Sequence, residues 1–408
     1  MTNRMLGLTL IVATSLRAQQ PQIVSLFRFL DLTTGMRPSS LVASDFNGDG
    51  KPDLAVTDEA SGTVSILLSV GNGFFLSPLT YPVGLGPRAV AVGDFDRDGN
   101  LDLAVANFRS NTISVLLGNG DGTFHAATNI DTLSPAFITV EDFNHDGKLD
   151  LAIANASSNS ISILLGIGNG TFAPTFHFAV GAHPVSIATG DFNRDGKADL
   201  AVANANANTV SVLLGNGDGT FRSALTMAAG ASPATVASAD FNSDGRLGLV
   251  VANATPIPGT VSLLLGSGNS YFQLPRAFSV GTNPSFTVVS DFNLDGKPDV
   301  AVANAASGTT SVLIGRGDGL FATPLTFDVG AAPIWMVATD VNADGKPDLV
   351  VANSSSGRYP CCSITLQCLS KTSSIEDCRM PTKTSRSGFL AKPSHAYGRR
   401  AASVAFQV

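Results

Sequence analysis

Asp45-Phe46-Asn47-Gly48-Asp49-Gly50-Lys51-Pro52-Asp53 is the stretch that decides the fold. The same nine-residue pattern returns starting at Asp94, Asp142, Asp191, Asp240, Asp291 and Asp340, at spacings of 49, 48, 49, 49, 51 and 49 residues. A fixed period of this size marks a chain built by repeating one supersecondary unit.

Working outward from the pattern, each unit carries the same flanks. A proline opens a short apolar stretch before it, as in Pro184 to Phe192, and Leu-Ala-Val-Ala-Asn or a near copy follows, as in Leu103 to Asn107. After a small polar loop comes Thr-Val-Ser-Val-Leu-Leu-Gly (Thr209 to Gly215), then the turn Asn-Gly-Asp-Gly-Thr-Phe (Asn216 to Phe221), then a last short stretch such as Leu325 to Gly330. These are four strand-sized segments per unit, rich in β-branched residues and separated by Gly, Asn, Asp and Pro. None has the length or 3.6-residue period of a helix. Both faces of the segments are apolar or small, as in Val64-Ser65-Ile66-Leu67-Leu68, which a sheet packed between two others requires and a sheet with one wet face does not.

Seven four-stranded units arranged radially predict an all-β fold, a seven-bladed β-propeller of four-stranded blades. A solenoid would need distinct polar end repeats, and the terminal units here look like the others. Phe29-Leu30-Asp31-Leu32 followed by Gly35 parallels Phe327-Asp328-Val329-Gly330, the end of a unit. An N-terminal strand closing the last blade is therefore expected, covering an otherwise open edge.

The pattern itself places side-chain oxygens at positions 1, 3, 5 and 9 of a tight loop. Hard cations such as calcium take about six to eight oxygens, and glycine at position 6 permits the sharp turn that returns position 9 to the centre. The loop opens like an EF-hand but ends in Asp at position 9, and strand-like sequence flanks it. The candidate ligands are Asp45, Asn47, Asp49 and Asp53 in loop 45–53, and Asp94, Asp96, Asp98 and Asp102 in loop 94–102. They continue with Asp142, Asn144, Asp146 and Asp150 in 142–150, and Asp191, Asn193, Asp195 and Asp199 in 191–199. Loop 240–248 offers only Asp240, Asn242 and Asp244, because Gly248 replaces the last Asp. Asp291, Asn293, Asp295 and Asp299 follow in 291–299, and Asp340, Asn342, Asp344 and Asp348 in 340–348. Up to seven Ca2+ are expected, weakest at 240–248. Of the 32 acidic residues, 21 lie in these loops, and carboxylates crowded without a cation repel one another.

The unit Asp-Phe-Asn-x-Asp-Gly-x-x-Asp-Leu-Ala-Val-Ala-Asn, followed by Gly-Asn-Gly-Asp-Gly-Thr-Phe, resembles the FG-GAP repeats of integrin α-subunit N-terminal propellers and their bacterial VCBS or FG-GAP-like relatives. The resemblance covers about residues 25–353. It implies a seven-bladed propeller with calcium between the first and second strands of each blade, and binding or adhesion as the common role. The family also includes lectins and polysaccharide-cleaving enzymes, so it fixes the fold better than the activity.

Recognition is expected on the face opposite the calcium loops, where loops vary between units. The candidate ligand-face residues are Arg88, Phe108, Arg109, Phe137, His183, Phe286 and Trp335, the last being the only tryptophan. Aromatics and asparagines there suit a glycan; the competing reading is that the aromatics plug the central channel. Arg316-Gly317-Asp318 spells an adhesion tripeptide but occupies the register of the ordinary glycine turn. No nucleophile-elbow, zincin or phosphate-loop motif occurs, so an enzyme is not expected. The alternatives are a calcium-assisted polysaccharide lyase using Arg88 or Arg109 as base or another carbohydrate-active enzyme, and a structural cell-surface repeat protein.

The ends differ from the body. Arg4 and the apolar run Met5 to Leu16 read as a signal peptide over residues 1–20, so a secreted or cell-surface protein is expected, with an extracellular glycan or protein as partner. The propeller is expected over 21–370, and 371–408 reads as a divergent, disordered tail. The four cysteines, Cys361, Cys362, Cys368 and Cys378, are poorly spaced for zinc. Net charge −7 and the lack of a basic stripe argue against nucleic acid, no later run is long enough to span a membrane, and a monomer is expected.

Overall fold

The computed structural model describes residues 25–255, 257–354 and 363–370; the expected signal peptide and the tail lie outside these. Each blade is an antiparallel four-stranded sheet. In one unit the strands Pro184–Gly190, Asp199–Asn204, Thr209–Leu213 and Leu225–Ala228 lie side by side in that order. Five further sheets repeat this order with their own consecutive strands. Another four-stranded sheet contains Pro333–Thr339, Asp348–Asn353 and Ser363–Ser370, with Ser25–Thr33 paired antiparallel to the last of these. The innermost strands pack around an axis: Pro38–Ser44 contacts Pro87–Gly93 on one side and Pro333–Thr339 on the other. The protein is thus an all-β propeller with four-stranded blades.

Burial falls across each blade as radial packing demands. The second strand is buried at every residue in every sheet, from Asp53–Asp58 to Asp348–Asn353. The outer strand, such as Thr128–Asp131, is mostly exposed. This is why Leu-Ala-Val-Ala-Asn carries no polar alternation: both faces meet neighbouring sheets. The proline that opens each inner strand lacks an N–H, and a bulge follows it in every blade, as between Pro184 and Ser186 or Pro87 and Ala89.

Adjacent blades are riveted on one face. The phenylalanine at position 2 of a loop meets, edge to face, the phenylalanine of the glycine turn one blade on. Phe46 with Phe124, Phe95 with Phe172 and Phe143 with Phe221 have centroids 5.6–5.7 Å apart. Such aromatic pairs contribute about 0.5–1.5 kcal/mol beyond their area. A backbone bond runs beside each contact, as from Gly122 N to Phe46 O at 3.0 Å and Gly219 N to Phe143 O at 3.1 Å. Gly73 N donates to Val341 O at 2.8 Å, so the first and last loops along the chain make the same contact.

The asparagine that ends the second strand is buried, and Asn107, Asn204, Asn253 and Asn304 donate to hydroxyls on the third strand, as Asn204 Nδ2 does to Ser211 Oγ at 2.9 Å. The first blade has Asp58 instead, and its Oδ2 accepts from Ser65 Oγ at 2.7 Å. Burial pushes this carboxyl above its ordinary pKa, and the hydroxyl bonds only partly offset that. A folded-state pKa above the unfolded value means the native state holds the proton longer, so ionising Asp58 costs stability as pH rises through the folded pKa. Asp58→Asn should therefore gain in melting temperature relative to wild type as pH is raised from about 3 to 7, a range set to bracket the ordinary carboxylate pKa. A difference that stays flat across that range would show that Asp58 ionises without cost.

Candidate functional site

Two faces of the propeller carry candidate chemistry. On the first, the nine-residue loops curl around their own oxygens. In loop 191–199, Asp191 Oδ1 and Oδ2 accept from the backbone N–H of Asp195 and Gly196 at 3.0 and 2.8 Å. Asn193 Oδ1 accepts from Asp195 N at 2.8 Å, and Asp195 Oδ1 from Lys197 N at 3.1 Å. Two left-handed residues per loop make this possible. Position 6 is always glycine, but position 4 is Arg97, His145, Arg194, Ser243, Leu294 or Ala343 at φ between 57° and 66° in six of the loops. Side chains avoid that region, so the loop closure itself holds them there.

Position 9 does more than the sequence showed. Asp199 is fully buried; its Oδ2 accepts from Phe192 N at 2.9 Å and its Oδ1 from Gly215 N at 2.8 Å. One carboxylate thereby ties the start of the loop to the end of the third strand. Asp53, Asp102, Asp150 and Asp299 repeat both bonds. Asp348 repeats the first, to Val341 N at 3.2 Å. Burial, reinforced by the other loop carboxylates, raises the pKa of Asp102, Asp150 and Asp199 to about 6 and of Asp299 to about 7. In these four loops the buried position-9 carboxyl thus lies within the field of the loop's other aspartates.

The donors fit a hard cation. All are oxygens, and in loop 94–102 one carboxylate oxygen each from Asp94, Asp96 and Asp102 lies within 4.8 Å of the others. Elsewhere position 3 is Asn and position 7 is often a lysine that leans on position 5: Lys51 on Asp49 at 2.6 Å, Lys148 on Asp146 at 2.8 Å. Loop 94–102 has neutral Asn100 there, bonded to Asp98 Oδ2 at 2.8 Å. It is the most acidic loop, with four aspartates, and its one cation, Arg97, is at position 4 instead of position 7. In loop 240–248, Gly248 offers no carboxylate, and a Cβ built on it would sit 2.9 Å from Leu264 O; the strand has closed onto the glycine.

The opposite face is the mouth of the axial channel. Phe137, Phe286 and Trp335 reach it from the inner strands of three blades. Trp335 stacks on Phe286 at 4.1 Å and on Phe137 at 5.6 Å between centroids. The three rings line both an outer cavity of about 330 Å³ and an inner one of about 400 Å³. They lie across the channel, and much of their flat surface is spent on one another.

Arg88, with Glu59, lines the outer cavity. Its guanidinium lies 3.6 Å over the Phe108 ring. Burial lowers its pKa, and Glu59 opposes that shift; an arginine nevertheless stays charged. Glu59 is nearly buried and takes two other arginines, Arg37 at 3.3 Å and Arg109 at 3.2 Å. Of the seven candidates, Arg88, Phe137, Phe286 and Trp335 line this cavity, Phe108 lies under Arg88, and Arg109 is held by Glu59. His183 does not line it; it is a left-handed turn residue whose N–H donates to Asn159 Oδ1 at 2.9 Å.

Arg37 and Glu59 were missed from sequence. The available signal was comparison of the units with one another: where the first has Glu59, the others have Phe108, Ala156, Ala205, Ala254, Ala305 and Ser354. The adhesion-like tripeptide sits in the common turn, with Arg316 N donating to Leu320 O at 3.0 Å as Asn216 N does to Thr220 O at 2.9 Å.

The fold and loops define a propeller assembled from internally repeated, acid-looped blades. FG-GAP-like repeat models match residues 45–105, 94–153, 142–202, 191–251 and 291–351, well over half of the chain, which belongs to that family. No match begins at the loop that lacks its last aspartate. No curated protein matches in sequence. Among solved structures, an Agrocybe aegerita lectin that recognises non-reducing terminal N-acetylglucosamine is similar at TM-score 0.51 and 20% identity, covering 71% of this chain and 80% of its own. Virginiamycin B lyase from Staphylococcus aureus gives 0.57 and 15%, covering 85% and 99%. A functionally unknown protein from Desulfotomaculum acetoxidans gives 0.55 and 13%, covering 79% and 92%. At these identities the likeness is one of fold. Among the described residues no helix is long and apolar enough to cross a membrane.

Asp199→Ala should leave two backbone N–H groups without their charged acceptor. A cost of about 2–4 kcal/mol is expected in denaturant unfolding. Gly248→Asp should not be stabilising, because the new Cβ meets Leu264 O. If it raised stability, the glycine would be a simple loss rather than a site the strand has closed around.

Proposed function

We propose that the protein is a secreted, calcium-loaded, seven-bladed propeller, its last blade completed by the N-terminal strand, that binds an extracellular protein or glycan at the channel mouth and catalyses no reaction. The observation that carries the binding reading is where the repeat breaks down. Charged or bulky residues interrupt it at Arg37, Glu59, Arg88, Phe108 and Arg109, all on two adjacent blades at one end of the channel. The corresponding residues of the fourth to sixth blades include Ala205, Ala254 and Ala305 beside Val185, Ala234 and Ser285. Variable positions on a rigid scaffold are where recognition is built. The lectin-like neighbour favours the same role, and the pairing of Ser25–Thr33 with Ser363–Ser370 favours the completed blade.

A lyase would need a free acid or base at the mouth. Glu59 is taken by two guanidiniums, and Arg88 and Arg109 are poor bases because an arginine does not readily give up its proton.

Calcium enters as a structural ion. It would be held by the oxygens at positions 1, 3, 5 and 9, with Asp94, Asp96, Asp98 and Asp102 the tightest set and 240–248 the weakest. Bound there, it would offset the burial, and the like-charge repulsion beside it, that raise the pKa of the position-9 aspartates. One site at a hundredfold excess over its Kd adds about 2.7 kcal/mol, so chelation should lower the melting temperature by on the order of 10 °C for several sites. Asp96→Asn should weaken the first site filled in a calcium titration. An unchanged melt in excess chelator would remove the cation from this reading.

Binding is tested by screening the calcium-loaded protein against a glycan array and a panel of extracellular proteins. Saturable binding abolished by Arg88→Gln with Phe108→Ala is expected. The absence of any saturable ligand would leave a structural spacer instead.

A further inference from the structure

Arg88 is a cation without an anion. It faces a cavity of about 330 Å³. Its recorded contact is the Phe108 ring beneath it, and it makes no ion pair among the described residues. The carboxylate within its field, Glu59, is engaged at both oxygens by Arg37 and Arg109. With both Glu59 oxygens engaged by other arginines, Arg88 keeps its positive charge at the mouth of a protein whose formal charge is −7. A guanidinium is built to hold a carboxylate through two parallel N–H bonds, and Phe108 fixes its plane from behind.

The rim beside it carries large apolar side chains. The residue two before each blade's proline is Met36, Leu85 and Leu133 in the first three blades, but Ala182, Ala231, Thr282 and Ala331 in the rest. Met36, Leu85 and Leu133 are 54%, 67% and 46% exposed. The arc adjoins the charged cluster: Ala60 N donates to Met36 O, Glu59 N to Arg37 O, and Arg109 N to Leu85 O, at 2.8–3.1 Å. Large exposed apolar side chains grouped around a charge mark a protein contact. A sugar would instead call for free aromatic faces, and here Phe137, Phe286 and Trp335 stack on one another while Phe108 is covered by Arg88.

We propose that the mouth receives a loop of a partner protein that presents one carboxylate side chain to Arg88, flanked by apolar residues that rest on Met36, Leu85 and Leu133. This rests on the binding reading above and names the partner's chemistry.

The probe is a capped pentapeptide with a central glutamate between two leucines, compared with its glutamine counterpart and with glucuronic acid. Trp335, the only tryptophan, lines the cavity, so its single indole N–H resonance reports occupancy of the full-length, calcium-loaded protein. The glutamate peptide should shift that resonance saturably and bind at least tenfold more tightly than the glutamine peptide. Arg88→Gln should remove that preference, whereas Arg88→Lys should keep part of it. Met36→Ser, Leu85→Ser and Leu133→Ser together should weaken both peptides by about the same factor. Equal binding of the two peptides, or an unchanged preference in Arg88→Gln, overturns the proposal. Binding of glucuronic acid with no response to either peptide overturns it in favour of a sugar acid and leaves the binding reading standing. Silence from all three probes overturns it as well; a hit on the glycan array or protein panel would then preserve the binding reading, and no hit would end both.

Discussion

The structure depends on one buried carboxylate used once in every blade but the fifth. At position 9 of the loop, an aspartate accepts one backbone N–H from the loop's second residue and another from the end of the third strand. A buried charge must be compensated, and two N–H donors plus, in the proposed loaded state, a cation do this. The bonds fix where the loop begins and where the glycine turn begins. Those two places are where the next and previous blades attach, through the phenylalanine pairs and the backbone bond beside them. A local acid therefore sets the geometry on which radial packing rests.

The fifth blade shows that the ring tolerates one missing tie. Gly248 supplies no carboxylate, yet Gly248–Asn253 is buried throughout and pairs with its neighbours in the common register. Its loop still folds on Asp240, whose oxygens accept from Asp244 N and Gly245 N at 3.1 and 2.7 Å. Phe241 still meets Phe321 of the next blade at 5.9 Å. Position 1 shapes the loop and position 2 rivets the blades, so position 9 can be lost where those two remain.

The blade was legible in the sequence because each strand is short and repeated. Period, proline, glycine and asparagine placed the strand boundaries to within a residue or two, and the absence of alternation in Leu103 to Asn107 revealed that both faces are covered. The loops were legible as oxygen clusters. Their hydrogen bonding was not, since a ligand pattern gives residue types but not that Asp199 is buried and already holds two N–H groups. The mouth was legible only in part. Phe137, Phe286 and Trp335 could be placed near the channel from their position after a proline, but not their stacking, which requires three blades separated in sequence to meet at the axis. Glu59 looked like an ordinary loop acid because its partners, Arg37 and Arg109, lie 22 and 50 residues away.

A repeat protein carries its own control for such residues. Every blade solves the same packing problem, so a residue common to the units explains the fold, and a residue that departs from them needs another reason. Some departures are structural: Asp58 replaces asparagine and still bonds Ser65, and Gly248 closes onto its strand. Arg37, Glu59, Arg88, Phe108 and Arg109 are different, because most other blades keep their sheets with small residues in those places. They cost burial of charge at the mouth, as the lowered pKa of Arg88 reflects; Arg109 ties its blade to Glu59 of the first, but Arg88 forms no ion pair among the described residues. A cost borne by two blades and absent from the rest is what a binding surface on a repeated scaffold should look like, since a ligand that does not share the repeat can use only one arc of the rim.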